Sequence, residues 1–129
     1  IIVNAEARSL NSEKLDKQTA HMVECFEKAA EEFGAKVEIK IERMYGPFIV
    51  AENDEVVGIV QKACTNMGVK TTLKATGGGS DTNVLNGNGI KAVNLAIGER
   101  KPHTLEEHLK IEDLVKSANL VIEIIKAVK

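Results

Sequence analysis

The side chains best suited to chemistry are concentrated in residues 76–104, TGGGSDTNVLNGNGIKAVNLAIGERKPHT, a stretch with six of the chain's ten glycines. Gly77, Gly78 and Gly79 lack a Cβ, so the backbone there can adopt positive φ and approach a ligand closely. Ser80 and Asp81, with Thr82 and Asn83 behind them, offer helix-cap oxygens and N–H groups at a helix start. That combination can hold an anion or a carbonyl oxygen. His103 follows the apolar run 90–97, and open α/β sheets place functional residues beyond the C-terminal ends of their strands. Plainer readings stand beside these: three glycines also make a tight connection, and a histidine next to Pro102 is commonly a solvated surface residue. A phosphate loop is excluded, because no Gly-Lys-Ser/Thr follows the glycines and the G-x-G-x-x-G spacing is absent.

The elements that must position these groups can be read from periodicity. Residues 1–8 alternate around Val3, Ala5 and Ala7 and predict a strand. The polar break at 9–12 provides a helix cap. Residues 13–33 predict an amphipathic helix with Leu15, Met22, Val23, Phe26, Ala29, Ala30 and Phe33 on one face and Gly34 as its stop. Residues 36–43 alternate Val37, Ile39 and Ile41 with charged neighbours, the pattern of a strand with one wet face. Residues 44–48, Met-Tyr-Gly-Pro-Phe, break the pattern. Asn53-Asp54 caps a second helix that ends at Gly68, and residues 69–75 form a strand leading into the glycine turn. A short polar helix follows, stopped by Asn86-Gly87-Asn88-Gly89. Then come a strand at 90–97 and a helix at 111–128, the latter expected to be buried on two sides. The fold class is α/β: a β-α-β unit over 1–48, then an alternating α/β part over 49–129.

The 129 residues suffice for one ordinary core or for parts of two. A net charge of -2 implies no nucleic-acid partner, and no apolar run of membrane length or signal peptide is present. Cys25 and Cys64 fall at apolar helical positions and read as buried free thiols in a reducing compartment, which points to the cytoplasm. His21 and His108 read as structural. The opening Ile1-Ile2-Val3, already strand-like, predicts a piece of a longer protein or a processed product. Uncovered sheet edges predict a homo-oligomer.

Taken in order, Ala7-Arg8-Ser9-Leu10-Asn11, the long helix, Gly78-Gly79-Ser80-Asp81, and His103-Thr104 with Glu106 and Glu107 behind resemble the C-terminal end of the M20 metallopeptidases. The closest branch is peptidase T-like, and the resemblance covers essentially the whole chain. It implies the second half of a lid (dimerisation) domain at 1–48 and the C-terminal α/β part of a zinc-peptidase-like catalytic domain at 49–129. It also implies hydrolysis of short peptides by two clustered divalent metals, usually Zn2+. By resemblance His103 is a metal ligand and Arg8 pairs with a substrate carboxylate, while Gly78, Gly79, Ser80 and Asp81 line the substrate cleft; the plainer reading of Arg8 is a surface ion pair with Glu6 or Asp16. The family's other metal ligands and its glutamate base have no counterpart here, so the missing N-terminal part becomes a partner and the chain alone is expected to be inactive. The tripeptidase branch tends to carry arginine three residues after the aspartate of the glycine motif, where this chain has Val84. The alternative is a small α/β binding module holding an anionic metabolite at Gly77–Gly79 without catalysis. A third reading is an interaction domain with no small-molecule site.

Overall fold

The computed structural model describes residues 1–128. Among them are four helices, α1 Ser12–Glu32, α2 Glu55–Asn66, α3 Asp81–Gly87 and α4 Ile111–Ala127. The chain divides into two compact units. One comprises Ile1–Ile49 with Thr76–Gly89, the other Val50–Ala75 with Ile90–Lys129.

In the first unit, α1 starts where Asn11 accepts a hydrogen bond from Lys14 N at 2.9 Å. It ends in a Schellman motif: Gly34 adopts φ 62, Ala35 N reaches Ala30 O at 2.8 Å and Gly34 N reaches Glu31 O at 3.1 Å. Leu15, Met22, Val23, Phe26 and Ala30 of the expected face are half-buried, whereas Ala29 is exposed and Phe33 remains 80% exposed. The segment joining α1 to the second unit folds onto the glycine turn. Asn83 Nδ2 donates to Gly46 O at 2.9 Å, and the ring of Tyr45 lies against Gly79.

In the second unit, Asp54 caps α2 by accepting from Val56 N at 3.3 Å, and it also pairs with Lys91 at 3.3 Å. The helix stops in a second Schellman motif, with Gly68 at φ 66 and Val69 N on Cys64 O at 2.8 Å. α2 packs on α4, and α2 carries the buried apolar residues Val57, Ala63 and Cys64.

Three expectations differ from what the fold shows. First, the expected strands 1–8, 36–43, 69–75 and 90–97 form no ladder among the described residues, where the one antiparallel bridge joins Arg100 to His108. Alternation marks a surface that is apolar on one side, but a strand exists only through a neighbour's N–H and C=O groups. Second, Cys64 is buried, but Cys25 is exposed. It lies roughly 100° round the helix from Phe26 and faces His21, with Sγ 3.7 Å from Nε2. Third, α4 has no buried residue. Its partly covered stripe is Asp113, Ser117, Leu120, Ile124 and Ala127, while Leu114, Val115, Val121, Ile122 and Ile125 are exposed.

Candidate functional site

In the first unit, close contact demands glycine at one of the three positions of the turn, and backbone angle demands it at none. Gly77, Gly78 and Gly79 do not occupy the positive-φ region, so the left-handed backbone that their composition permits is not used. A Cβ at Gly77 or Gly78 would meet nothing within 4 Å, but one at Gly79 would sit 1.8 Å from Tyr45 Oη. Only glycine leaves room for that phenol. Ser80, half-buried, starts α3 in a capping box, with Ser80 N donating to Asn83 Oδ1 at 3.0 Å. Asp81 is exposed in the first turn. Asn83 therefore has two jobs, closing the helix cap and anchoring Gly46 O. α3 is seven residues long and its first turn is already tied up by its own cap, so it makes a poor anion site.

Arg8 lies in the same unit. Its Nε and Nη2 both donate to the carboxylate of Glu6, the second at 3.2 Å, so the guanidinium presents a two-point face to an acid. Both side chains are more than half exposed. The hydrogen bond from Arg8 holds the Glu6 carboxyl below the ordinary carboxylate range, and the same bond raises Arg8, with a further favourable contribution from the nearby Tyr45. Asp16, the other acid considered for Arg8, pairs with Arg43 instead. Tyr45, in the same unit, is the residue that meets Gly79. Sequence reasoning passed over Tyr45 and the anchoring of Gly46 by Asn83, because both depend on contacts more than thirty residues away along the chain.

In the second unit, His103 sits exposed in the loop between the apolar run and α4. Its φ of 63 and that of Lys101 at 53 are rare for residues with a Cβ. The loop is held by the Arg100–His108 bridge, by Thr104 Oγ1 donating to Lys101 O at 2.8 Å, and by an ion pair between Lys101 and Glu106. Glu107 Oε2 accepts from His103 N at 2.6 Å, so this carboxylate supports the histidine's backbone and not its ring. Arg100 also reaches Asp113 at 3.2 Å, which ties the loop to the first turn of α4. Beside it is a hollow of about 170 Å³, lined by Met67, Ile97, Gly98, Asp113, Ser117 and Leu120. Two of its polar side chains are engaged internally, Asp113 with Arg100 and Ser117 with Asp113 O. No three His, Cys, Asp or Glu side chains converge as a metal site among the described residues. His103 can therefore supply at most one part of a metal centre. None of the described helices is long and apolar enough to cross a membrane.

Comparison with known proteins gives this geometry a context. Residues 3–127 match the model of Peptidase family M20/M25/M40. The chain is 46% identical over 122 residues to the uncharacterized protein YqjE of Bacillus subtilis, covering 95% of this chain and 33% of that protein. Among solved structures it is similar to the aminopeptidase PepT of Bacillus cereus, with 42% identity, a TM-score of 0.75, and 93% of this chain against 32% of that one. It is also similar to a tripeptidase of Staphylococcus aureus, with 37% identity, a TM-score of 0.81, and 94% of this chain against 33% of that one. The chain spans about a third of the length of these relatives.

Proposed function

The chain belongs to peptidase family M20/M25/M40, and on that premise we propose that it is the C-terminal part of a peptidase T-like enzyme that hydrolyses short peptides in the cytoplasm. Residues 1–48 are the second half of a lid, through which the enzyme forms a homo-oligomer. Residues 49–129 are the C-terminal α/β part of the catalytic domain, with 69–75 and 90–97 as strands that pair in the full-length enzyme. Arg8 takes a substrate carboxylate. Gly78, Gly79, Ser80 and Asp81 line the cleft, and Tyr45 packs against its floor at Gly79. His103 supplies one ligand to a centre of two divalent metals, with Zn2+ the expected ion. Because the described residues hold no complete metal site, the remaining ligands and the general base come from outside this chain, which alone hydrolyses nothing. When bound, such metals polarise the scissile carbonyl and activate a water.

The observation that carries this reading is the match of residues 3–127 to the family, with 42% and 37% identity to a PepT aminopeptidase and a tripeptidase, and Arg8 is the residue with which to test it. A planar guanidinium fork binds a carboxylate with fixed geometry, which an ammonium cannot reproduce. In the full-length enzyme, Arg8→Lys should lower kcat/KM for short peptides with a free carboxylate. The loss should be about 1.5–3 kcal/mol of transition-state stabilisation, the worth of a charged hydrogen-bonded contact. Equal kinetics for variant and parent would reduce Arg8 to a surface partner of Glu6. His103→Ala should reduce bound metal, measured by elemental analysis, and leave the helical circular dichroism unchanged, because His103 is exposed and no core contact is lost.

A further inference from the structure

Arg8 already holds a carboxylate. Glu6 meets both its Nε and its Nη2, the same two-point arrangement a peptide's terminal carboxylate would use. The Glu6 carboxylate is only two residues away along the chain, so its local concentration at Arg8 is high. It is also exposed, with side-chain accessibilities of 53% for Arg8 and 60% for Glu6, and an exposed pair exchanges readily with solvent or another anion. Asp16, another acid that could pair with Arg8, is engaged with Arg43. A guanidinium cannot offer the same pair of N–H groups to two carboxylates at once.

We propose that Glu6 is an internal placeholder for the substrate carboxylate, occupying the fork of Arg8 in the free enzyme and yielding it to the incoming peptide. The inference rests on the reading of Arg8 as the carboxylate clamp and adds a specificity-determining residue to it. A peptide whose terminal carboxylate takes the same Nε–Nη2 edge must displace Glu6 to bind. A peptide whose terminus is amidated carries no charge with which to displace it. Glu6 therefore weakens binding of the free acid by the free energy of its own pair with Arg8. It also keeps the guanidinium paired and oriented between turnovers.

The test is steady-state kinetics of the full-length enzyme on trialanine and on trialanine amide, with the parent, Glu6→Gln and Arg8→Lys. Glu6→Gln is nearly isosteric at an exposed position and keeps the fold. It should lower KM for trialanine about two- to fivefold, the range available from one exposed ion pair, with kcat little changed and no gain for the amide. Arg8→Lys should erase the preference for the free acid. If Arg8→Lys erases that preference but Glu6→Gln leaves the KM of trialanine unchanged, or raises it, Glu6 is not a placeholder and the reading of Arg8 stands. A KM that falls equally for acid and amide would also overturn the placeholder. If Arg8→Lys leaves the preference intact, the clamp and the placeholder fall together.

Discussion

A Cβ at position 79 would have its nearest neighbours at 1.8, 2.2 and 2.7 Å, all three in the Tyr45 phenol. Ordinary contact begins near 3.4 Å, so Gly79→Ala requires the rigid end of the ring to move by more than an ångström. Tyr45 is half-buried, and its neighbour Gly46 is pinned by Asn83 at 2.9 Å, so the ring cannot be relieved by a simple backbone shift. Overpacking of this kind costs about 1–3 kcal/mol. Against it stands a gain of about 0.4–1 kcal/mol from reduced freedom of the unfolded chain, which applies because φ at Gly79 is not positive. The net expectation is a loss of about 1–2 kcal/mol. Gly78→Ala is the internal control: its Cβ meets nothing within 4 Å, so only the gain remains. Urea unfolding of the full-length enzyme, followed by circular dichroism, should give the two variants opposite signs. In a Tyr45→Ala background Gly79→Ala should become neutral or stabilising, and the double-mutant cycle should return the overpacking cost as coupling. If Gly79→Ala matched Gly78→Ala in the parent, the close approach of Tyr45 would not be what demands glycine.

Asp54→Ala should cost about 0.5–2 kcal/mol in the same unfolding assay, because it removes the α2 cap and the Lys91 pair together, whereas Asp54→Asn should keep most of the cap. A thiol reagent under native conditions should label Cys25 rapidly and Cys64 only after unfolding; equal rates would refute their assigned exposure. The Glu6 carboxyl, lowered by Arg8, should titrate by NMR below the ordinary glutamate range. Since its pKa is depressed in the folded state, its pair contributes fully above the unfolded value and is lost as pH falls through the folded one. A midpoint at or above the ordinary value would remove the pair.

What could be read in the residue order was whatever is settled within a few positions. Asp54 caps α2, Gly34 and Gly68 stop their helices, and Ser80 opens α3, because each of these acts through bonds to backbone three to five residues away. The side of α1 that packs was equally plain from its spacing. Strands were a different matter: Val37, Ile39 and Ile41 mark a face, but pairing depends on partners that local pattern does not name. Cys25 was misjudged because it borders the apolar stripe without belonging to it. In α4 the apolar spacing predicted burial on two sides, but that stripe is exposed and the partly covered side carries Asp113, Ser117, Leu120 and Ile124 instead. At the candidate site, Arg8 and its pairing with Glu6 were both foreseeable, the latter as the plainer of two readings. Tyr45 was not, since the position that depends on it lies at Gly79.

The outward stripe of α4 has a calorimetric consequence. Leu114, Val115, Val121, Ile122 and Ile125 are already about half or more hydrated in the folded chain. Unfolding therefore transfers little of their surface to water, and apolar hydration is what raises the heat capacity. The 129-residue chain should unfold with a heat-capacity increment well under the usual 12–15 cal/mol/K per residue, giving a flat stability curve and a broad thermal transition. Any event that covers the stripe should announce itself by a negative heat-capacity change. That sign would be visible in a titration calorimeter whether the enthalpy at one temperature were large or close to zero.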